Sequence, residues 1–174
     1  MTSADVTLGR AELSRFEALL QRGVAVRAGA RTVLAFLVDE VGLTPEYVRD
    51  RITTVFLDGQ VVDALEDAVL GEGSRLALSA AMPGLVGATL RRSGPYAAMR
   101  AEITRSPEHE RDARTRAPVV IQVKLFNMLI HEVGPALLAR GVLLERDAVD
   151  AIGLPPVAGP GCPGGAVELR VRFR

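Results

Sequence analysis

Val55-Phe56-Leu57-Asp58-Gly59-Gln60-Val61-Val62 is the stretch that decides the fold class. A β-rich apolar run meets Asp-Gly, and a second apolar run leaves it. Glycine takes positive φ without steric cost, so Asp-Gly in this setting predicts a tight reversal between two strands. Upstream, Thr44-Pro45-Glu46 opens a short helix through about Asp50, with Thr44 as N-cap and Pro45 at the first helical position. Before it, Val33, Leu34, Leu37, Val38 and Val41 share one face, which predicts a helix over 31–41 that stops at Gly42. Downstream, Leu65, Val69 and Leu70 anchor a polar connection. Gly71-Glu72-Gly73 then turns the chain into a strand over 75–80.

Val24-Ala25-Val26 predicts another strand, entered through Gln21-Arg22-Gly23. Residues 10–22 fit two periods. Leu13, Phe16, Leu19 and Leu20 make a helical stripe, whereas Phe16, Ala18 and Leu20 make a strand face. On the second pattern, this segment and 24–26 form an opening hairpin.

After Met82-Pro83-Gly84-Leu85-Val86-Gly87 the composition changes. Residues 91–116 are rich in Arg, Ser, Pro and acidic groups and read as a polar connector, with short helical turns near 96–103 and after Ser106. A second structured block follows. Val119, Ile121, Val123 and Leu125 share a strand face, and 127–140 reads as a helix interrupted near Gly134-Pro135, where proline removes a backbone donor. Residues 142–144 form a short strand, and 154–165 a Pro/Gly-rich loop. Val167, Leu169, Val171 and Phe173 then alternate with Glu168, Arg170, Arg172 and Arg174. That strand must cover one apolar face and show a charged one to water, completing a sheet in the same molecule or in a dimer. The division expected is therefore 1–90, 91–116 and 117–174.

The chain has 174 residues, 48% hydrophobic and 24% charged, which suits a folded globular protein. A chain of this size buries roughly 70% of its unfolded surface and needs no staples. Basic and acidic residues balance at 21 each, with Lys124 the one lysine, so the excess of cations typical of nucleic-acid binders is absent. Two tyrosines and no tryptophan leave few base-stacking platforms. Met1 to Asp5 lacks a basic segment leading into an apolar run, so no secretory signal is expected. The apolar stretch Leu76–Leu90 is broken by Ser79, Pro83, Gly84 and Gly87 and falls short of the ~20 residues a membrane span needs. A cytoplasmic protein is expected, without membrane or nucleic-acid partners and without a cofactor.

Three pieces together resemble the ThiS/MoaD-type sulfur carriers of β-grasp (ubiquitin-like) fold, over about residues 14–87 only. They are Val24-Ala25-Val26-Arg27-Ala28-Gly29-Ala30, the Val55–Val62 stretch, and Gly71-Glu72-Gly73-Ser74-Arg75-Leu76-Ala77-Leu78. The resemblance implies an α+β protein: an N-terminal β-grasp domain, its sheet wrapped around the 31–41 helix, followed by a small α/β block. In that family a mobile tail ends in Gly-Gly, and its carboxylate is adenylated and converted to a thiocarboxylate. The corresponding place here is Met82 to Gly87, and the chain runs on. A carboxylate tied up in a peptide bond cannot be activated, so carrier chemistry requires cleavage after Gly84 or Gly87. Gly164-Gly165 is followed by a strand pattern, which argues against a free tail there.

Cys162, in Pro160-Gly161-Cys162-Pro163-Gly164-Gly165, is the single thiol, which rules out an internal disulfide and a cysteine-based zinc site. A nucleophilic thiol needs an activating base. His109 and His131 are the two histidines, and no spacing links either to Cys162. His131-Glu132 lacks the second histidine of a metalloprotease helix. Gly84-Leu85-Val86-Gly87 lacks the Lys-Ser/Thr of a phosphate loop. The Arg residues of 91–116 interleave with Glu102, Glu108, Glu110 and Asp112, the pattern of a solvated, ion-paired face. What remains is apolar: Met82, Pro83, Gly84, Leu85, Val86 and Gly87 as a segment that docks on another surface. The function expected is a non-catalytic β-grasp protein that binds a protein or small-molecule partner, or a second copy of itself. The alternatives are a sulfur-carrier relative in thiamine or molybdopterin synthesis, and an enzyme using Cys162.

Overall fold

Asp58 and Gly59 both take positive φ, 53° and 85°, and the chain reverses on them. Strand β3 (Thr54–Leu57) returns as β4 (Gln60–Val61), with Leu57 opposite Gln60. This is the two-residue turn that Asp-Gly favours. The Asp58 carboxylate also accepts from the Arg75 backbone N–H at 2.7 Å, which ties the turn to β5 (Arg75–Ser79). The computed structural model describes residues 2–80, 84–92, 94–96, 117–154 and 166–174.

The molecule is an α+β protein built on one mixed, eight-stranded sheet. The remaining strands are β1 (Thr2–Leu8), β2 (Val24–Ala28), β6 (Val119–Phe126), β7 (Val142–Glu145) and β8 (Ala166–Phe173). Their order across the sheet is β1-β8-β7-β2-β6-β5-β3-β4. Strand β6 runs parallel to β5 and antiparallel to β2, and so lies between two strands that precede it by at least forty residues. Strand β8 pairs antiparallel with β7 and parallel with β1, so the last strand completes a sheet within the same molecule.

The helices are α1 (Ser14–Arg22), α2 (Val33–Ala35) with a π turn over Phe36–Glu40, α3 (Pro45–Asp50), α4 (Gly84–Leu90), α5 (Leu129–Glu132), α6 (Gly134–Arg140) and α7 (Arg146–Ala151). One face of the sheet is apolar and buried: Val24 and Val26, Leu76 and Leu78, Ile121, Val123 and Leu125, Val167, Leu169 and Val171. Helix α1 packs against β6, and α6 against β8. Each such aliphatic side chain contributes roughly 1.5–3 kcal/mol by leaving water, which makes this layer the main source of stability.

Residues 14–22 are helical, so the opening hairpin does not form. Phe16, Leu19 and Leu20 are buried together on one helical face. Gly23 ends the helix at φ 112°, its N–H donating to the Leu19 carbonyl at 2.8 Å. The antiparallel partner of β2 is β6 instead, in register from Val24 with Val123 to Ala28 with Val119. The 31–41 helix forms as expected, with the Thr32 hydroxyl accepting from the Ala35 N–H at 3.3 Å and Gly42 beyond its end at φ 83°. Its last turn widens to a π turn that brings the Glu40 carboxylate back to the Gly29 N–H at 2.8 Å. Glu40 also accepts from Ala30 and pairs with Arg140 of α6. The Arg140 guanidinium lies 5.3 Å from the Phe36 ring centroid. The break expected near Gly134-Pro135 separates α5 from α6. At Gly134 an added Cβ would sit 2.9 Å from Leu20 Cδ1, so any larger residue would force the buried Leu20 side chain to shift. Among the described residues, no helix is long and apolar enough to cross a membrane.

Candidate functional site

Strands β5 and β6 are parallel, with Ser79 beside Phe126, so both leave the sheet at the same end. Strand β3 is antiparallel to β5, with Thr54 beside Ser79, and therefore begins at that end. The chain leaves β5 there, forms α4, and returns there: the Arg92 N–H donates to the Thr53 carbonyl at 2.7 Å. Gly84, at φ 79°, opens α4, and Gly87 is buried inside it. Both glycines thus sit in a helix despite the weak helical preference of glycine. Met82, Pro83, His109 and Cys162 lie outside the described residues.

Leu85 is 70% exposed, Val86 68%, Met128 58%, Tyr96 45% and Phe126 39%. These are the exposed large hydrophobic residues among those described, and all belong to the two segments that emerge at this end. Scattered apolar residues on a surface are ordinary, whereas their concentration in one place is not.

The segments carrying them are fastened by polar contacts to one short helix, α3. Arg92 is half-buried, and its guanidinium donates to the carbonyls of Val48 at 2.7 Å and Ile52 at 2.8 Å. These are carbonyls at and just past the C-terminal turn of α3, which have no partner within the helix. Burial lowers the Arg92 pKa, and the Asp63 and Glu66 carboxylates oppose that shift. From the other side, Glu132 of α5 accepts from the Tyr47 hydroxyl at 2.5 Å and from Arg51 Nε at 3.3 Å. Arg51, then Tyr47, holds the Glu132 carboxyl below the usual carboxylate range. Burial, and then the bond to Glu132, push the Tyr47 phenol well above its ordinary value. Between these clamps, Asn127 Nδ2 donates to Ser79 Oγ at 3.1 Å, while the buried Thr53 and Thr54 hydroxyls have no partner among the described residues.

His131 sits on α5, exposed, with Nε2 at 3.8 Å from a Glu17 carboxylate oxygen. Among the described residues no cluster of three or more His, Cys, Asp or Glu side chains is placed to hold a metal ion. The end of the sheet therefore presents hydrophobic side chains on a polar frame, an arrangement suited to contact. Sequence reasoning singled out residues 84–87 here. It missed Phe126 and Met128, whose proximity depends on the parallel pairing of β5 with β6. Against family models, curated proteins and solved structures alike, the chain finds no match.

Proposed function

We propose that this is a non-catalytic recognition protein, and that the α4 end of its sheet binds a protein partner through an apolar surface. One observation carries the reading: Leu85, Val86, Tyr96, Phe126 and Met128 come to the same end of one sheet while the other large apolar side chains described are buried or partly buried. Hydrophobic and aromatic residues within a polar rim are the usual composition of a binding patch. The rim here is Arg51, Arg91 and Glu132. We take β2, the 33–40 helix, β3, β4 and β5 as a β-grasp core in which β6 takes the position the opening hairpin strand would have held.

A photo-crosslinking side chain placed at Val86 tests the function in native cells, with the same group at Gln60, just after the β3–β4 turn, as control. The expected result is a discrete cross-linked protein species at 86, lost when Leu85 is changed to Asp, and none at 60. A species of twice the chain mass identifies a second copy as the partner. Equal, diffuse labelling at both positions removes the proposal. The carrier alternative requires cleavage after Gly84 or Gly87, both inside α4. An intact mass of the native protein ending at either glycine would replace recognition with carrier chemistry.

A further inference from the structure

The two edges of the sheet differ. Strand β4, at one side, has two residues, whereas β1, at the other, pairs with β8 in unbroken register along all seven of its residues, Thr2 to Leu8. Among the described strands nothing pairs with the outer side of β1. Proline, lysine and bulges are the usual means of keeping an edge from recruiting another strand, and β1 has none of them. Ala4, Val6 and Leu8 pack against the core on the helix-covered face but are only partly buried. On the opposite face Asp5 and Thr7 are exposed, beside Arg170 and Arg172 of β8 respectively. Arg170 pairs with Glu168 at 2.7 Å, while Asp5 and Arg172 have no ion pair or hydrogen bond among the described residues.

We propose that the β1 edge takes a second copy of this chain, the two β1 strands pairing antiparallel about a two-fold axis perpendicular to the sheet. Such an axis keeps each side chain on its own face and joins the two sheets into one. Three registers overlap five or more residues of β1, with the axis beside Ala4, Asp5 or Val6. The charges choose between them. An axis at Asp5 sets that carboxylate against the partner's Asp5, and like charges directly opposite are destabilising. An axis at Ala4 sets Asp5 against the partner's Ser3, whose neighbour on β8 is the partner's Glu168. An axis at Val6 sets Asp5 against the partner's Thr7, whose neighbour is the partner's Arg172. That arginine is two strand spacings away, about 10 Å, within the combined reach of the two side chains. The same register sets Val6 against the partner's Val6 and Leu8 against the partner's Ala4, covering the apolar side chains that the edge leaves half-open. The interface is thus self-complementary in charge and in apolar contact, and lies apart from the α4 surface.

Sedimentation equilibrium of the full chain reads the association directly. The expected mass rises with concentration toward twice the 18.5 kDa of one chain, and a single-chain mass throughout overturns the proposal. Asp5→Arg and Arg172→Asp should each weaken the dimer at least about tenfold, because both symmetry-related attractions become repulsions. Mixed in equal amounts, the two variants should associate as tightly as the unaltered chain, since each supplies the charge the other lacks. Association unaffected by either variant, or no recovery on mixing, overturns the proposal. Leu85→Asp should leave the dimer intact, and dissociation by it would move the contact to the α4 surface and overturn the proposal as well. Should the charge variants not fold, a cross-link decides. With Cys162, the single native thiol, replaced by Ser, Val6→Cys should give a disulfide-linked dimer on mild oxidation. Ala4→Cys should not, its two copies lying more than about 13 Å apart in this register. Linkage at 4, or none at 6, overturns the proposal.

Discussion

Strand β6 has two kinds of apolar residue, and they sit side by side. Ile121, Val123 and Leu125 point under the helices and are essentially sealed from water, whereas Phe126 and, just after it, Met128 are left in solvent. Leu85 and Val86 repeat the second condition at the same end of the sheet. Burial, not hydrophobicity, converts such side chains into stability. The first group therefore accounts for folding, and the second adds little to it. Hydrogen-bonded charges add to the buried Val48, Ile52 and Leu129 in fastening the sheet end: Arg92 on the α3 carbonyls and Glu132 between Tyr47 and Arg51.

Removing residues 117–174 is the most severe way to break the contrast. It takes β6 from between β2 and β5, and the remaining chain should show no cooperative thermal transition by circular dichroism. Next is Leu125→Ala, which empties a fully buried position and should cost about 2–5 kcal/mol in chemical denaturation. Arg92→Ala should cost about 1–3 kcal/mol, because it leaves the Val48 and Ile52 carbonyls without their donor. In contrast, Leu85→Asp and Met128→Ser should change stability by no more than about 0.5 kcal/mol, while abolishing the cross-link from the α4 end. A large destabilisation by either would move these residues into the core group and dissolve the distinction.

The smallest effect is in pH dependence. Glu132 is held below the ordinary carboxylate range, so its contribution to stability is complete above the unfolded carboxyl value. It is lost as pH falls through the lowered folded value. Glu132→Gln should flatten that part of the acid limb. Tyr47 works in the opposite direction. Its raised phenol contributes fully below the unfolded tyrosine value and loses that contribution as pH rises above it. Tyr47→Phe should remove the late-ionising phenol from an ultraviolet titration.

Much of the local structure was legible from the sequence, and most of the pairing was not. Asp58-Gly59 announces its turn because the backbone conformation it needs is a property of those residues alone. The period-2 pattern of 166–173 announces β8 in the same way. Residues 14–22 carry both periods, and the choice between them is made by distant side chains: Leu20 needs the room that Gly134 leaves. Ala4, Val6 and Leu8 alternate with Ser3, Asp5 and Thr7, a signal for β1 that is present but short. Nothing local in Val24–Ala28 says that its partner lies at 119–123. For the site, residues 84–87 stand out by composition. That Phe126 joins them follows from a parallel register that no nearby residue encodes.

The place of β6 in the sheet bears on how the chain is made. On the ribosome, β2 and β5 emerge well before residues 119–126, and until β6 follows, the edges that flank it have nothing to pair with. Open edges of this kind recruit other chains. The nascent polypeptide thus carries open strand edges through the middle of translation, and a pause in elongation before codon 119 would lengthen that exposure.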